Sequence, residues 1–186
     1  MSKMDVGGSL AVGLDADPRI CRIIPLADVD HAILLDAVGL WQRLKGERKY
    51  PSRNAVTPRI LKPILRNTTL LRVVDEGADY DYRIVGDAYV MAHGQSFQGK
   101  LWSQTEAMSP GFYKFIKPVY DRVVRDGEPL AMRGWIERGG ASTGHVYCEY
   151  VYLPLGEDRV DHILAVAVYL RRDGVDRVAS ASSFTI

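Results

Sequence analysis

Apolar side chains first fall into a helical rhythm at Ile33, Ala37, Leu40 and Leu44, and Leu34 and Trp41 widen the stripe. That four-three-four spacing predicts a short amphipathic helix, with Asp28 or Asp30 as its N-cap and Gly46 at its end. Thr57-Pro58 supplies the N-cap and first position of a second, brief helix, which Pro63 interrupts. The period then changes to that of strands. Runs at 69–74 and 80–85, joined by Asp75-Glu76-Gly77-Ala78-Asp79, predict an antiparallel hairpin.

From 86 to 106, Gly86, Gly94 and Gly99 divide short apolar groups, which predicts one or two short helices and tight turns. A longer helix starts at Ser109-Pro110, carries Phe112, Phe115, Ile116, Val119 and Val123 on one face, and ends near Asp126-Gly127; Pro118 within it predicts a kink. Three further strands follow at about 130–137, 146–155 and 160–170, separated by the glycine-rich stretch 139–144 and by Gly156-Glu157-Asp158. The run 163–170 is almost continuously apolar, so it belongs at the centre of a sheet covered on both faces. Residues 1–27 have no clean period and read as a flexible leader. Residues 28–66 read as a helical cap with a basic connector, 67–171 as the core and 172–186 as a polar tail.

At 186 residues, with 47% hydrophobic and 25% charged, the chain is long and apolar enough to bury a core, and it lacks the composition of a disordered protein. A net charge of +1 provides no global field for nucleic acid or an anionic membrane. No stretch approaches the roughly 20 apolar residues of a membrane-spanning helix, and the N-terminus lacks the apolar run of a signal peptide. With two cysteines, Cys21 and Cys148, and no CxxC motif, the pattern points to the reducing cytoplasm and to no disulfide framework.

His31, His93, His145 and His162 form no HxH or HExxH pattern and no cluster with cysteine, so no metal is expected. GxGxxG, P-loop and nucleophile-elbow contexts are missing, and no enzyme chemistry is expected. Cys148, within a strand, reads as a small core residue. Between Trp41 and Arg66 the charge is lopsided, eight basic residues against Glu47 alone, and Arg48, Lys49 and Arg53 form a candidate anion patch. Aromatic interleaving there is too sparse for base stacking, so nucleic acid is not the expected partner.

Two strands, short helices, a longer helix and three strands make up an α+β order with an antiparallel sheet. The order, together with Trp41-Gln42-Arg43-Leu44-Lys45-Gly46, Pro51-Ser52-Arg53, Tyr82-Arg83-Ile84-Val85-Gly86, Gly94 with Gly99, and Glu149 with Leu153-Pro154-Leu155, resembles a bacterial family of stand-alone PAS domains. At Asp87 the chain departs from that family, which more often has threonine there.

The resemblance implies a five-stranded antiparallel sheet with short helices on one face, an N-terminal amphipathic helix, and signalling by binding. Tyr89, His93, Trp102, Phe112, Phe115, Ile116, Tyr150 and Tyr152 are the expected ligand pocket, either open or filled as plain core. Arg53, Arg83 and Glu149 are the expected polar network, and Ile33, Ala37, Leu40, Trp41 and Leu44 the candidate homodimer face. Haem is disfavoured because the long helix lacks histidine. Flavin is disfavoured because the Asn-Cys-Arg segment of flavin photosensors has no counterpart. An unidentified small organic ligand or a signalling protein remains the expected partner. The alternatives are an isomerase-like pocket enzyme and an adaptor that binds an acidic partner or a cyclic dinucleotide through the basic connector.

Overall fold

The computed structural model describes residues 21–108, 110–137 and 145–170. The first twenty residues, Ser109, the whole of the expected glycine-rich loop and the tail from 171 lie outside them, and so does the side chain of Phe112.

Six strands form one antiparallel sheet: β1 (Arg22–Ile24), β2 (Thr68–Val74), β3 (Asp79–Val85), β4 (Leu130–Glu137), β5 (His145–Gly156) and β6 (Val160–Leu170). Their spatial order is β1-β4-β5-β6-β2-β3. Five of the six match the expected strands. The sixth, β1, comes from the segment expected to be a leader, where Arg22-Ile23-Ile24 pairs with Arg133, Met132 and Ala131. Three residues are too few to show a period of two, so the strand left no pattern to read.

β6 lies between β5 and β2, as its apolar run requires. Alternation along it sends Ile163, Ala165 and Ala167 into one core and Leu164, Val166 and Val168 into another.

The helices are α1 (Ala32–Lys45), α2 (Pro58–Leu61), α3 (Asp87–His93) and α4 (Pro110–Asp126). α1 covers one face of the sheet: Leu34, Ala37 and Trp41 are buried against Val151, Leu153, Leu155, Leu164 and Val166. Its N-cap is His31, whose Nδ1 accepts from the Ile33 amide at 3.3 Å, not Asp28 or Asp30. Thr57 caps α2 as expected, and that helix is over before Pro63. α3 and α4 cover the opposite face, packing on Leu71, Tyr82, Met132, Tyr150 and Tyr152.

Candidate functional site

On the face beneath α3 and α4 the interior is built largely of tyrosine. Period-two geometry puts Tyr80 and Tyr82 of β3 on that face, and Cys148, Tyr150 and Tyr152 of β5 with them. α3 adds Tyr89 and His93, four residues apart and so on one helical side, with rings stacked at 4.1 Å. Phe97 meets Tyr82 and Tyr89 edge-on at 5.5 and 5.6 Å, and Tyr169 closes on Tyr89 at 6.5 Å and Tyr150 at 5.8 Å. Such edge-to-face contacts align ring quadrupoles favourably.

Hydroxyls thread this apolar interior. The Tyr150 and Tyr169 hydroxyls are 2.8 Å apart, and those of Tyr82 and Tyr120 3.3 Å. Tyr80 donates to Asp121 at 2.7 Å, and Lys117 holds the same carboxylate at 2.8 Å. The Tyr152 hydroxyl is buried with no hydrogen-bond partner among the described residues. Native structures rarely leave a buried polar atom in that state without a reason.

Burial raises the phenol pKa throughout: to about 12 for Tyr82, and well above the ordinary value of 10 for Tyr89, Tyr120, Tyr150, Tyr152 and Tyr169. For Tyr80 burial comes first, and the hydrogen bond to Asp121 adds to it. A group whose folded pKa is raised contributes stability that is intact below its unfolded pKa and is lost as pH climbs above it. The expected result is a phenolate absorbance titration in which these tyrosines stay silent near pH 10. They should then ionise together as the fold is lost, near pH 12 or above. A smooth single titration of all ten tyrosines near 10 contradicts the buried cluster.

Of the residues singled out for a pocket, Tyr89, His93, Ile116, Tyr150 and Tyr152 converge in this one cluster. Phe115 is half-buried at its margin. Trp102 stands at the rim, stacked on Tyr113 at 4.1 Å and donating to the Tyr113 carbonyl at 3.2 Å. Sequence reasoning missed Tyr82, Phe97, Tyr120 and Tyr169. The Tyr-x-Tyr spacing at 80–82, matching that at 150–152, was the available signal.

The polar network of Arg53, Arg83 and Glu149 does not assemble. Arg53 donates to its neighbour Val56 O at 2.7 Å, and Arg83 shares Asp81 with Arg72. Glu149 is opposite Arg133 in the β4–β5 register, where burial pushes its carboxyl up while Arg133 opposes the shift. β6 and β2 separate β5 from β3 by three strand spacings, about 14 Å, and Arg83 is engaged with Asp81 of its own strand instead.

The anion patch is likewise divided. Arg48 faces Glu157 at 3.9 Å, and Lys49 donates to Asp126 O at 3.0 Å. Of the candidate dimer stripe, Ala37 and Trp41 are turned onto the chain's own sheet, so they present no exposed face; Ile33, Leu40 and Leu44 are half-buried at its rim. Among the described residues no helix is long and apolar enough to cross a membrane, and no three His, Cys, Asp or Glu side chains gather as a metal site.

The PAS domain family matches residues 29–169, three-quarters of the chain, and the chain belongs to that family. Its fold and family are those of a sensory and signalling domain. Two similar solved structures are light-oxygen-voltage proteins. One was described in work on a flavin analogue and the light-oxygen-voltage domain mechanism; it is 11% identical with a TM-score of 0.45, and the match covers 67% of this chain and 92% of that one. The other, an RNA-binding light-oxygen-voltage receptor, is 13% identical with a TM-score of 0.47; the match covers 88% of this chain and 43% of that one. No curated protein matches the chain.

These likenesses concern fold alone, but they correct one expectation. The expectation that flavin is disfavoured is corrected: one of these similar structures comes from work on a flavin analogue in a light-oxygen-voltage domain.

Proposed function

We propose that this PAS domain is a sensory module that takes a small planar organic molecule between its sheet and helices α3 and α4. The buried Tyr152 hydroxyl, without a partner among the described residues and set among stacked rings, carries that reading. Aromatic faces favour a flat ring system, and hydroxyls favour heteroatoms at its edge, a class that includes flavins. Occupancy signals by shifting the population of α3 and α4 packings, for which the ligand must bind one packing more tightly than the other. The partner is a second copy of the chain or a signalling protein.

Native mass spectrometry of gently purified protein, compared with the same sample after denaturation, tests this. Retention and then release of a small organic molecule is the expected outcome; a bare chain that takes up nothing from a set of planar heteroaromatics, flavins included, overturns it. Tyr152→Phe is expected to lower ligand affinity about fivefold, the worth of one hydrogen bond. If the hydroxyl meets no ligand, the same substitution leaves affinity unchanged and stabilises the domain.

A further inference from the structure

The chain has two cysteines, 127 positions apart in sequence, and the fold brings their sulfurs to 3.6 Å from one another. Both are free thiols and both are buried. The sheet explains the approach. Arg22 of β1 is opposite Arg133 of β4, so Cys21 reaches the level of Gly134, and Gly134 is itself opposite Cys148 of β5. The strand between the two cysteines therefore has no side chain at that level, and the thiols meet across it. Gly134 holds φ at +146°, and its carbonyl accepts from Cys148 Sγ at 3.4 Å. The ligand-binding reading makes no use of this pair.

We propose that Cys21 and Cys148 form a reversible dithiol–disulfide pair, a modification site that joins β1 to β5 when a hydroperoxide supplies the oxidising equivalents. Cys21 is the residue that oxidant reaches first. It precedes a three-residue strand that, among the described residues, stands at the edge of the sheet and pairs with β4, and a groove lined by Ile23, Ile24, Leu26, Arg122 and Leu130 lies beside that strand. Short edge strands open locally at low cost.

In the first step the Cys21 sulfur takes one oxygen from the hydroperoxide. The O–O bond breaks, the alcohol or water leaves, and Cys21 becomes a sulfenic acid. In the second, the Cys148 sulfur attacks the Cys21 sulfur; the S–S bond forms, the S–O bond breaks, and the hydroxyl departs as water with the proton of the Cys148 thiol. Burial pushes the Cys148 thiol pKa well up, which keeps it protonated and unreactive toward oxidant by itself; its sulfur, 3.6 Å from that of Cys21, is the one placed to resolve the sulfenic acid. The sulfurs close from 3.6 Å to about 2 Å in the product. β4 stands between β1 and β5, so the shift falls on Cys21, which lies just outside the paired residues Arg22–Ile24 and bends across the bare Gly134 backbone toward Cys148.

The test treats the reduced full chain with hydrogen peroxide and maps peptides without reduction. The expected product is a joined pair of peptides carrying Cys21 and Cys148, separated again by dithiothreitol, with slower hydrogen exchange at the Arg22–Ile24 amides. Cys21→Ser should abolish the joined peptide and leave Cys148 reduced. Should that variant fold poorly, Cys21→Ala, which keeps an apolar side chain there, gives the same reading. Sulfinic or sulfonic acid on either cysteine with no joined peptide overturns the proposal, and so do two thiols that react only after denaturation. None of these readouts depends on ligand occupancy.

Discussion

Gly86→Ala is expected to destabilise the domain by about 3 kcal/mol, the upper range for forced overpacking, and to lower its thermal midpoint accordingly. A Cβ at this position falls 2.3 Å from Arg66 O and 2.6 Å from Leu65 O, and both obstacles are backbone, so no side-chain rotation relieves them. The glycine cannot retreat either. Its amide donates to Thr68 O at 2.8 Å, and its carbonyl accepts the Tyr89 and Val90 amides at 3.0 and 3.2 Å. Any shift that frees the methyl group therefore lifts α3, and with it Tyr89 and His93, away from the sheet. Circular dichroism melting checks the cost. A loss under about 0.5 kcal/mol, the range of ordinary surface changes, means that α3 is not seated against the 65–67 segment as described.

The elements that the sequence spelled out are those whose own residues carry the whole signal. β5, β6 and the β2–β3 hairpin each have enough alternating or continuous apolar positions to define a strand, and Thr57-Pro58 and the α1 stripe mark their helices directly. What a period cannot give is the partner. The α1 stripe is equally consistent with a second copy or with the chain's own sheet, and only the fold turns Ala37 and Trp41 inward.

Strand order is similarly invisible. Arg53, Arg83 and Glu149 looked complementary by charge, yet β6 and β2 lie between two of them. The site was half legible: Tyr89, His93, Tyr150 and Tyr152 were recognisable as interior aromatics, whereas Tyr120 and Tyr169 join them only through the α4 packing and the β5–β6 register. The cysteine pair was not legible at all. It depends on β1, a strand too short to have a pattern, and on the bare backbone of Gly134 between its two members.

Trp41→Ala is expected to cost about 4 kcal/mol, within the range for deleting a buried large aromatic, and to do so at every protein concentration. Trp41 is 5% exposed, and its indole Nε1 donates to Pro154 O at 2.8 Å, an acceptor on β5 of the same chain. Pro154 has no amide to contribute to the ladder, and its carbonyl is occupied from the α1 side, which fastens the helix to the middle of the sheet.

Trp41→Phe keeps most of the packing and removes that one donor, so about 1 kcal/mol is the expected loss. Melting both variants across a hundredfold range of concentration separates two roles for the α1 stripe. If α1 is bound to its own sheet, the midpoints fall by fixed amounts whatever the dilution. If the stripe instead holds two chains together, wild-type midpoints rise with concentration and Trp41→Ala removes that dependence. The hydrogen bond to Pro154 favours the first outcome, and any dimer of this domain then forms through surface other than Ala37 and Trp41.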